Sequence, residues 1–312
     1  MQSRRSFING TIGAGLALAG AAMKTAEAQM STPARKRMIV DAQVHLWTAE
    51  TPDWKWVPGR KPQLPEPFTI EKLVPLMDEA GVDRVVIVPP SWPGDRNDYG
   101  LEAARRYPER FRVMGRIALE KPDSAALLPK WREQPGMVGI RLTFLGPLEA
   151  WLTNGTADWF WPAAEKAGLP VMLFAPGHGA DFGRIAERHP GLPMIIDHMN
   201  LNAEVKKTVG TAGAIEQTVA LAKYPNVSCK MSASPGHSSE AYPFRDMTPH
   251  LKRVFEAFGR ERCYWGTDLT NSFDKASYRQ RVTHFTETLD FLSEEDKDWV
   301  MGRAILKRLG WS

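Results

Sequence analysis

Eight short apolar segments rich in β-forming residues recur along the chain, and stretches of helical periodicity lie between them. This alternation is typical of repeated βα units around a parallel sheet. No Gly-x-Gly-x-x-Gly turn follows a predicted strand, which disfavours an open dinucleotide-binding sheet. The pattern predicts an α/β fold, a (β/α)8 TIM barrel forming a single domain over residues 38–312. The strands are predicted at residues 38–46, 84–89, 111–118, 137–143, 170–175, 192–198, 226–231 and 262–267.

The first 28 residues have the features of a twin-arginine export signal. Arg4 and Arg5 precede an uncharged stretch over residues 8–23, and Ala26-Glu27-Ala28 then supplies small residues for signal peptidase. The uncharged stretch is shorter than the ~20 residues of a membrane span, which favours a cleaved signal over a membrane anchor. We expect a periplasmic protein without membrane attachment, with an N-terminal arm over residues 29–37.

Composition and charge limit the kinds of molecule that the protein is expected to bind. The formal net charge is only +4, and no basic stripe runs along any predicted element, so nucleic acid is not expected as a partner. A small-molecule substrate fits a barrel of this size, and a homo-oligomer remains open. Cys229 and Cys263 each fall in a predicted strand, where two buried thiols are the favoured interpretation and a disulfide is the alternative.

Polar side chains gather at the predicted carboxyl ends of the strands, where barrels of this kind carry their chemistry. Asp41, Gln43, His45 and Trp47 alternate along the first strand and are therefore expected to share one face. Catalytic roles are predicted for three residues that end strands one, six and eight, namely His45, His198 and Asp268.

Further polar and aromatic residues near these ends are candidates for binding substrate. Arginine can hold a carboxylate with two parallel hydrogen bonds, and aromatic side chains favour a flat ring. Three further histidines are interpreted as a helix cap, His189, and as residues in or beside a loop, His237 and His250. The predicted substrate-binding residues are Gln43, Arg116, Arg141, Lys230, His178, Trp54, Trp92 and Phe174.

Three motifs resemble those of a known family. The segments 41–47 (DAQVHLW), 196–200 (IDHMN) and 265–268 (WGTD) are similar to the strand one, six and eight motifs of the amidohydrolase-related (amidohydrolase 2) family of the amidohydrolase superfamily. That family includes 2-pyrone-4,6-dicarboxylate lactonase, sugar lactonases and several decarboxylases. The resemblance covers about residues 38–311 and implies a (β/α)8 barrel with the reacting water near Asp268. Two departures stand out: Gln43 replaces the first histidine of the strand-one pair, and Phe174 stands where metal-binding members place a strand-five histidine.

These departures bear on the cofactor. His45, His198 and Asp268 would form a two-histidine, one-carboxylate set able to bind a single divalent ion such as zinc. The neutral amide of Gln43 is a poor addition to that set, so we favour no cofactor and leave the metal open.

Without a metal, a carboxylate base contributes only ~10²- to 10⁴-fold in rate, which suits a substrate that is already reactive. We therefore predict a hydrolase that opens a lactone or activated ester of a ring-containing, carboxylated small molecule. Asp268 would deprotonate water, while His45 and His198 would donate hydrogen bonds to the developing oxyanion. The alternatives are a metal-dependent decarboxylase or hydratase acting on an aromatic acid, and a non-catalytic periplasmic binder.

Overall fold

Eight parallel strands form one sheet in which each strand pairs with its neighbours in chain order. The first and eighth strands, which end this order, also lie side by side, because the Asp268 N–H donates to the Gln43 carbonyl at 3.0 Å. The computed structural model describes residues 36–312, so the predicted signal and nearly all of the predicted arm lie outside the described residues. The strands are β1 (Val40–Val44), β2 (Arg84–Ile87), β3 (Phe111–Gly115), β4 (Met137–Thr143), β5 (Val171–Phe174), β6 (Met194–Ile196), β7 (Val227–Ser232) and β8 (Cys263–Gly266).

Helices connect most successive strands. The first ends at Gly81, whose φ of 76° is the left-handed conformation that glycine adopts without steric cost at a helix end. Between β3 and β4 the connection is a run of 3-10 turns, Pro122–Glu133, in place of an α-helix. The α-helices are α1 (Ile70–Ala80), α2 (Asp98–Arg106), α3 (Phe160–Lys166), α4 (Gly179–Arg188), α5 (Ala203–Val219), α6 (Ser234–His237), α7 (Thr248–Phe258), α8 (Tyr278–Thr283), α9 (Glu294–Asp298) and α10 (Ala304–Leu309).

This architecture confirms the predicted (β/α)8 barrel. Every predicted strand overlaps an observed one, although most observed strands are shorter. Strand β6 shows why: its final predicted residues, Asp197 and His198, turn away from the sheet. The same ends carry the polar residues of the site.

A buried carboxylate ties β1 to the segment that follows β8. Asp41 accepts hydrogen bonds from the Thr267 N–H at 2.8 Å, the Thr267 hydroxyl at 2.5 Å and the Tyr278 hydroxyl at 2.8 Å. It also accepts from the Gln43 N–H at 3.0 Å. Burial raises the pKa of Asp41, and these four donors oppose that rise. The contacts hold the ends of β1 and β8 together at the mouth of the barrel.

The pairing of β1 with β2 is irregular between Asp41 and Val44, and this corrects the predicted face of the first strand. A bulge interrupts the strict alternation of side chains. Asp41 binds Thr267, and Trp47 packs edge-on against Trp92 with ring centroids 5.0 Å apart. Of the four residues predicted to share a face, Gln43 and His45 line the pocket described below.

The end of the chain covers the opposite end of the barrel. Trp311 is buried, and the guanidinium groups of Arg84 and Arg112 lie 5.0 and 4.8 Å from its ring. These arginines stand at the starts of β2 and β3. The carboxyl ends of the strands are therefore the open end. Within residues 36–312, no helix is both long enough and apolar enough to cross a bilayer.

The two cysteines are partners in the pairing of β7 with β8. Both are buried free thiols, and burial raises the pKa of each. This agrees with the favoured interpretation of Cys229 and Cys263 as packed core residues.

Candidate active site

A pocket of about 380 Å³ opens at the carboxyl ends of the strands. Gln43, His45, His198 and Asp268 lie on its walls. The loop after β1 reaches across the mouth: the Val57 N–H donates to the Trp92 carbonyl at 2.6 Å. The sequence-predicted catalytic residues are thus brought together at the open end of the barrel.

Tight left-handed turns present His198 and Asp268 to this pocket. His198 follows β6 with a φ of 51°, and Asp268 follows β8 with a φ of 48°. Residues other than glycine rarely adopt this conformation, and it costs of order 1–3 kcal/mol at each position. Strain of this kind is found where a side chain must be held in a fixed direction, and here it lies at two of the predicted catalytic residues.

The side-chain amide of Gln43 occupies the centre of the site. Its nitrogen lies 3.0 Å from His198 Nε2, 3.3 Å from His45 Nε2 and 3.4 Å from Asp268 Oδ1. Gln43 is fully buried. A carboxamide nitrogen carries two hydrogens and no acceptor capacity, so it can donate to at most two of these three groups.

Lys230 fixes which end of the amide points inward. Its ammonium donates to Gln43 Oε1 and lies 2.7 Å from Asp197 Oδ1. A lysine ammonium has only donors, so the atom facing it must be the amide oxygen. If the amide were flipped, two donor groups would face each other in a buried site. The amide nitrogen is therefore the atom directed at His45, His198 and Asp268.

The orientation of Gln43 defines the state of His198. Because Gln43 donates to Nε2, the ring must carry its proton on Nδ1, which lies 2.8 Å from the Ser232 hydroxyl. Burial lowers the pKa of His198 to about 4, although Asp268 and Asp197 act in the other direction, so the ring is neutral at pH 7. His198 is consequently a hydrogen-bond acceptor in this arrangement, which revises its predicted role as an oxyanion donor.

His45 has an acceptor at each ring nitrogen. Its Nδ1 lies 2.6 Å from the Val88 carbonyl, and its Nε2 lies 3.1 Å from Asp268 Oδ1. A carbonyl and a carboxylate both only accept hydrogen bonds, so both contacts are favourable only when both nitrogens carry protons. When both nitrogens carry protons, His45 and Asp268 form an imidazolium–carboxylate pair.

Asp268 receives donors on both oxygens. Beyond His45 and Gln43 on Oδ1, its Oδ2 accepts from the Asn271 amide at 2.5 Å and lies 3.7 Å from His198 Nε2. Burial favours the neutral acid, but the neighbouring histidines and the Asn271 hydrogen bond outweigh burial and hold the pKa of Asp268 below its usual range. The carboxylate is ionised at neutral pH and has lone pairs left for a water.

The same geometry tests whether the residues fit a metal ion. His45, His198 and Asp268 could in principle supply two nitrogens and an oxygen, as zinc requires. The fourth group among them is the Gln43 N–H₂, which lies within 3.4 Å of these atoms and presents two hydrogens that would repel a cation. No group of three or more His, Cys, Asp or Glu side chains in the described residues has an arrangement suited to a metal. The donor set does not fit a resident metal.

Arg141 and Arg116, both predicted to bind substrate, differ in the hydrogen bonds that their guanidinium groups make. Arg141 donates from Nε to Asp197 Oδ2 at 3.0 Å and also contacts the Thr143 hydroxyl. Arg116, by contrast, is buried with Nε and Nη1 lacking any hydrogen-bond partner among the described residues. Burial and the nearby Arg141 lower the pKa of Arg116 to about 9. Arg141 and Lys230 thus neutralise Asp197, whereas Arg116 retains unused donors.

Two of the aromatic residues predicted to bind substrate, Trp92 and Phe174, line the pocket. Trp92 lies on the wall beside His45, and the Phe174 ring meets His198 edge-on with centroids 5.3 Å apart. Phe174 therefore fills with an apolar ring the place where the resemblance implies a metal-binding histidine. Both rings border the space into which a substrate would enter.

Two other predictions need correction. Trp54 lies outside the pocket, with its indole N–H donating to Asp98 at 3.3 Å and its ring packed against Tyr99. His178 precedes α4, and its Nδ1 lies 3.1 Å from Asp181, so its side chain turns toward the helix start and away from the pocket. The conformation of the loops sets the positions of both side chains, and the pattern of strands in the sequence does not predict it.

The structure adds residues that sequence reasoning missed. His237, interpreted as a loop residue, lines the pocket with a buried Nε2 that has no hydrogen-bond partner among the described residues. Burial lowers the pKa of His237 to about 3. Asn271, three residues after Asp268, orients that carboxylate. Its position on the turn after the eighth strand was the only signal in the sequence.

The chain belongs to the amidohydrolase family whose model matches residues 40–310. It is 28% identical over 242 residues to L-fucono-1,5-lactonase from Burkholderia ambifaria, covering 73% of this chain and 79% of that protein. It is also 28% identical over 241 residues to 4-sulfomuconolactone hydrolase from Hydrogenophaga intermedia, covering 74% of each. The family match together with the lactonase and hydrolase relatives confirms the predicted enzyme class, a hydrolase.

Solved structures share the fold. An amidohydrolase from Burkholderia multivorans, crystallised with bound zinc, superposes with a TM-score of 0.73 at 19% identity, covering 88% of this chain and 99% of that one. At this identity the likeness concerns the barrel alone. The zinc belongs to that protein, and the side chains described above decide whether this chain suits a metal.

The Lys230–Gln43 contact predicts the behaviour of a designed metal site. Gln43→His alone restores a histidine pair but leaves the Lys230 ammonium beside it, which would repel a cation. Gln43→His combined with Lys230→Met removes that charge with a side chain of similar length. We expect the double variant to bind zinc at least ~10-fold more tightly than the single variant, since a tenfold difference requires only about 1.4 kcal/mol.

Calorimetric titration with zinc checks this expectation, with Lys230→Met alone as the matched control. Equal zinc affinity in the two Gln43→His proteins would contradict the role given to Lys230. Stoichiometric, tight zinc binding by the unaltered protein would contradict the orientation of the Gln43 amide.

Proposed function

We propose that the protein hydrolyses a lactone of a small, ring-containing molecule without a resident metal. The observation that carries the proposal is the ionised Asp268 carboxylate, which faces the pocket beside the Gln43 amide and the His45 imidazole. These groups supply a base and two hydrogen-bond donors around one small volume. The activities named for the two lactone-hydrolysing relatives support the same reaction class.

The reaction needs one proton to move twice. Asp268 takes a proton from water as the water oxygen attacks the lactone carbonyl, and the negative charge passes to the carbonyl oxygen. His45 and Gln43 stabilise that oxyanion by hydrogen bonds. When the ring C–O bond breaks, the leaving oxygen takes the proton from Asp268. Water and lactone thus become a hydroxy acid, and the enzyme returns to its initial state.

Energetics favour a lactone over an amide. Zinc lowers the pKa of bound water from 15.7 to about 7, and a carboxylate alone offers no comparable help. The lowered pKa of Asp268 makes it a weak base, which limits the proton transfer to reactive carbonyls. An ester whose ring oxygen leaves as a stabilised anion meets this condition, because less assistance is needed when the C–O bond breaks.

The pocket walls fit a flat ring. Trp92 and Phe174 offer apolar surface beside the catalytic groups, and the Arg141 guanidinium lies over the Phe174 ring, 5.9 Å from its centroid. Lys230 is fully buried and touches Gln43, so we assign it to orienting that amide. Substrate contact is assigned to the aromatic rings, with His237 as a further polar partner for a ring substituent.

Replacement of the base tests the proposal. Asp268→Asn keeps the volume and the contact with Asn271 but cannot accept a proton from water. We expect kcat for a panel of five- and six-membered lactones to fall by about 10²- to 10⁴-fold, the usual contribution of a general base. Asp290→Asn, which changes an exposed aspartate away from the pocket, is the matched control.

Thermal unfolding of the same proteins with and without lactone distinguishes an enzyme from a binder. An enzyme whose base is Asp268 should still gain stability from bound lactone in the Asp268→Asn protein. If the unaltered protein gains stability from lactones but releases no hydroxy acid, the catalytic proposal fails. Near-normal turnover by Asp268→Asn would remove Asp268 from the reaction.

We further propose that the protein acts in the periplasm after twin-arginine export and removal of residues 1–28. The support is the order of Arg4-Arg5, uncharged stretch and small residues in the sequence. Arg4→Lys with Arg5→Lys should retain the protein in the cytoplasm at its unprocessed mass, as measured by cell fractionation and mass spectrometry. Unchanged periplasmic yield of the double variant would refute this route, and Lys24→Arg serves as the control.

A further inference from the structure

A second chamber of about 270 Å³ adjoins the catalytic pocket at the barrel mouth. Ser91, Arg141 and Thr143 line both spaces, so the two chambers share a wall. The second chamber contains none of the catalytic groups described above. Its floor is formed by Arg116, the residue that directly follows β3.

Hydrogen bonds fix the backbone of Arg116, whereas no carboxylate in the described part of the chain is hydrogen-bonded to its guanidinium. The Asn97 side chain clasps its backbone, accepting from the Arg116 N–H at 2.7 Å and donating to the Arg116 carbonyl at 2.9 Å. The nearest carboxylate oxygen, on Asp95, is 4.0 Å from Nε, beyond hydrogen-bond distance. Only 9% of the side chain is exposed. A buried charged donor without an acceptor is costly, so its presence calls for a ligand that supplies acceptors.

The charges and shape of the chamber specify that ligand. Arg60 and Arg141 add positive charge beside Arg116, whereas Asp95 and Glu120 are the acidic residues on the walls. Arg141 already pairs with Asp197, a carboxylate that it shares with Lys230, so its guanidinium is already engaged. Trp151 and Leu148 supply apolar surface. Planar oxyanions match the fork of a guanidinium, and apolar walls suit the carbon frame that carries them.

We propose that the Arg116 chamber binds an anionic group, a carboxylate or sulfonate, on the part of the substrate remote from the reacting carbonyl. This inference rests on the proposed lactone hydrolysis for its substrate. It separates two roles that the sequence assigned jointly, because Arg116 binds the anion while Arg141 holds Asp197 against Lys230. The substrate class is therefore an anionic lactone that spans both chambers.

Benzoate and neutral benzamide provide a binding test that does not depend on turnover. Calorimetric titration should show benzoate binding to the unaltered protein, weakened at least ~10-fold by Arg116→Met, since a charge-assisted pair contributes about 1.5–3 kcal/mol. Arg116→Lys, which keeps the charge, should recover part of the affinity. Arg105→Met, on the exposed face of α2, should leave benzoate affinity unchanged. Equal benzoate affinity in the unaltered and Arg116→Met proteins would overturn the proposal.

The turnover of lactones provides a second test of the proposal. Arg116→Met should lower kcat/KM for a carboxylate-bearing unsaturated lactone at least ~10-fold, chiefly through KM, while leaving kcat/KM for its carboxamide analogue within about twofold. An equal loss for both lactones would also overturn the proposal. If no lactone is turned over by any variant but benzoate binding still requires Arg116, the proposed reaction fails and the anion site stands.

Stability separates a binding role from a structural one. Because Nε and Nη1 of the buried Arg116 have no hydrogen-bond partner among the described residues, removing its charge relieves a desolvation cost. Arg116→Met should therefore unfold at the same denaturant concentration as the unaltered protein or a higher one. A clearly lower midpoint would indicate that Arg116 supports the fold and would contradict the reading of its donors as free for a ligand.

Discussion

The contact between the Lys230 ammonium and the Gln43 amide oxygen determines the chemistry of this barrel mouth. It directs the amide nitrogen, with its two hydrogens, toward the group formed by His45, His198 and Asp268. Asp197 and Arg141 hold Lys230 in position from behind. A neutral side chain and a buried ammonium thus take the central place, and the tautomer of His198 follows from the orientation of the amide.

The fold serves this contact by bringing distant segments to one rim. Asp41 joins β1 to the start of the turn after β8, which places Gln43 beside Asp268. Left-handed turns at His198 and Asp268 then aim both side chains into the pocket. The strain is tolerated because Asp41, Ser232 and Asn271 each hold one of these segments by hydrogen bonds. Stability and site geometry depend on the same few buried polar residues.

Much of this could be predicted from the sequence, because apolar periodicity fixes the strands and barrels place their sites at strand ends. His45, His198 and Asp268 follow from that rule. The bulge in β1 and the loop turns at Trp54 and His178 depend on local geometry that periodicity does not encode. The orientation of the Gln43 amide could not be predicted from the sequence either, since it depends on Lys230, 187 residues away along the chain.

The most direct test of the central claim is to measure zinc content and lactone turnover on the same samples. Protein purified in metal-depleted buffer is divided and treated with chelator, with zinc or with neither. If the Gln43 amide takes the place of a metal, turnover per chain will be the same in all three and independent of zinc occupancy. Turnover that rises with zinc, disappears with chelator and returns when the ion is restored would contradict the account.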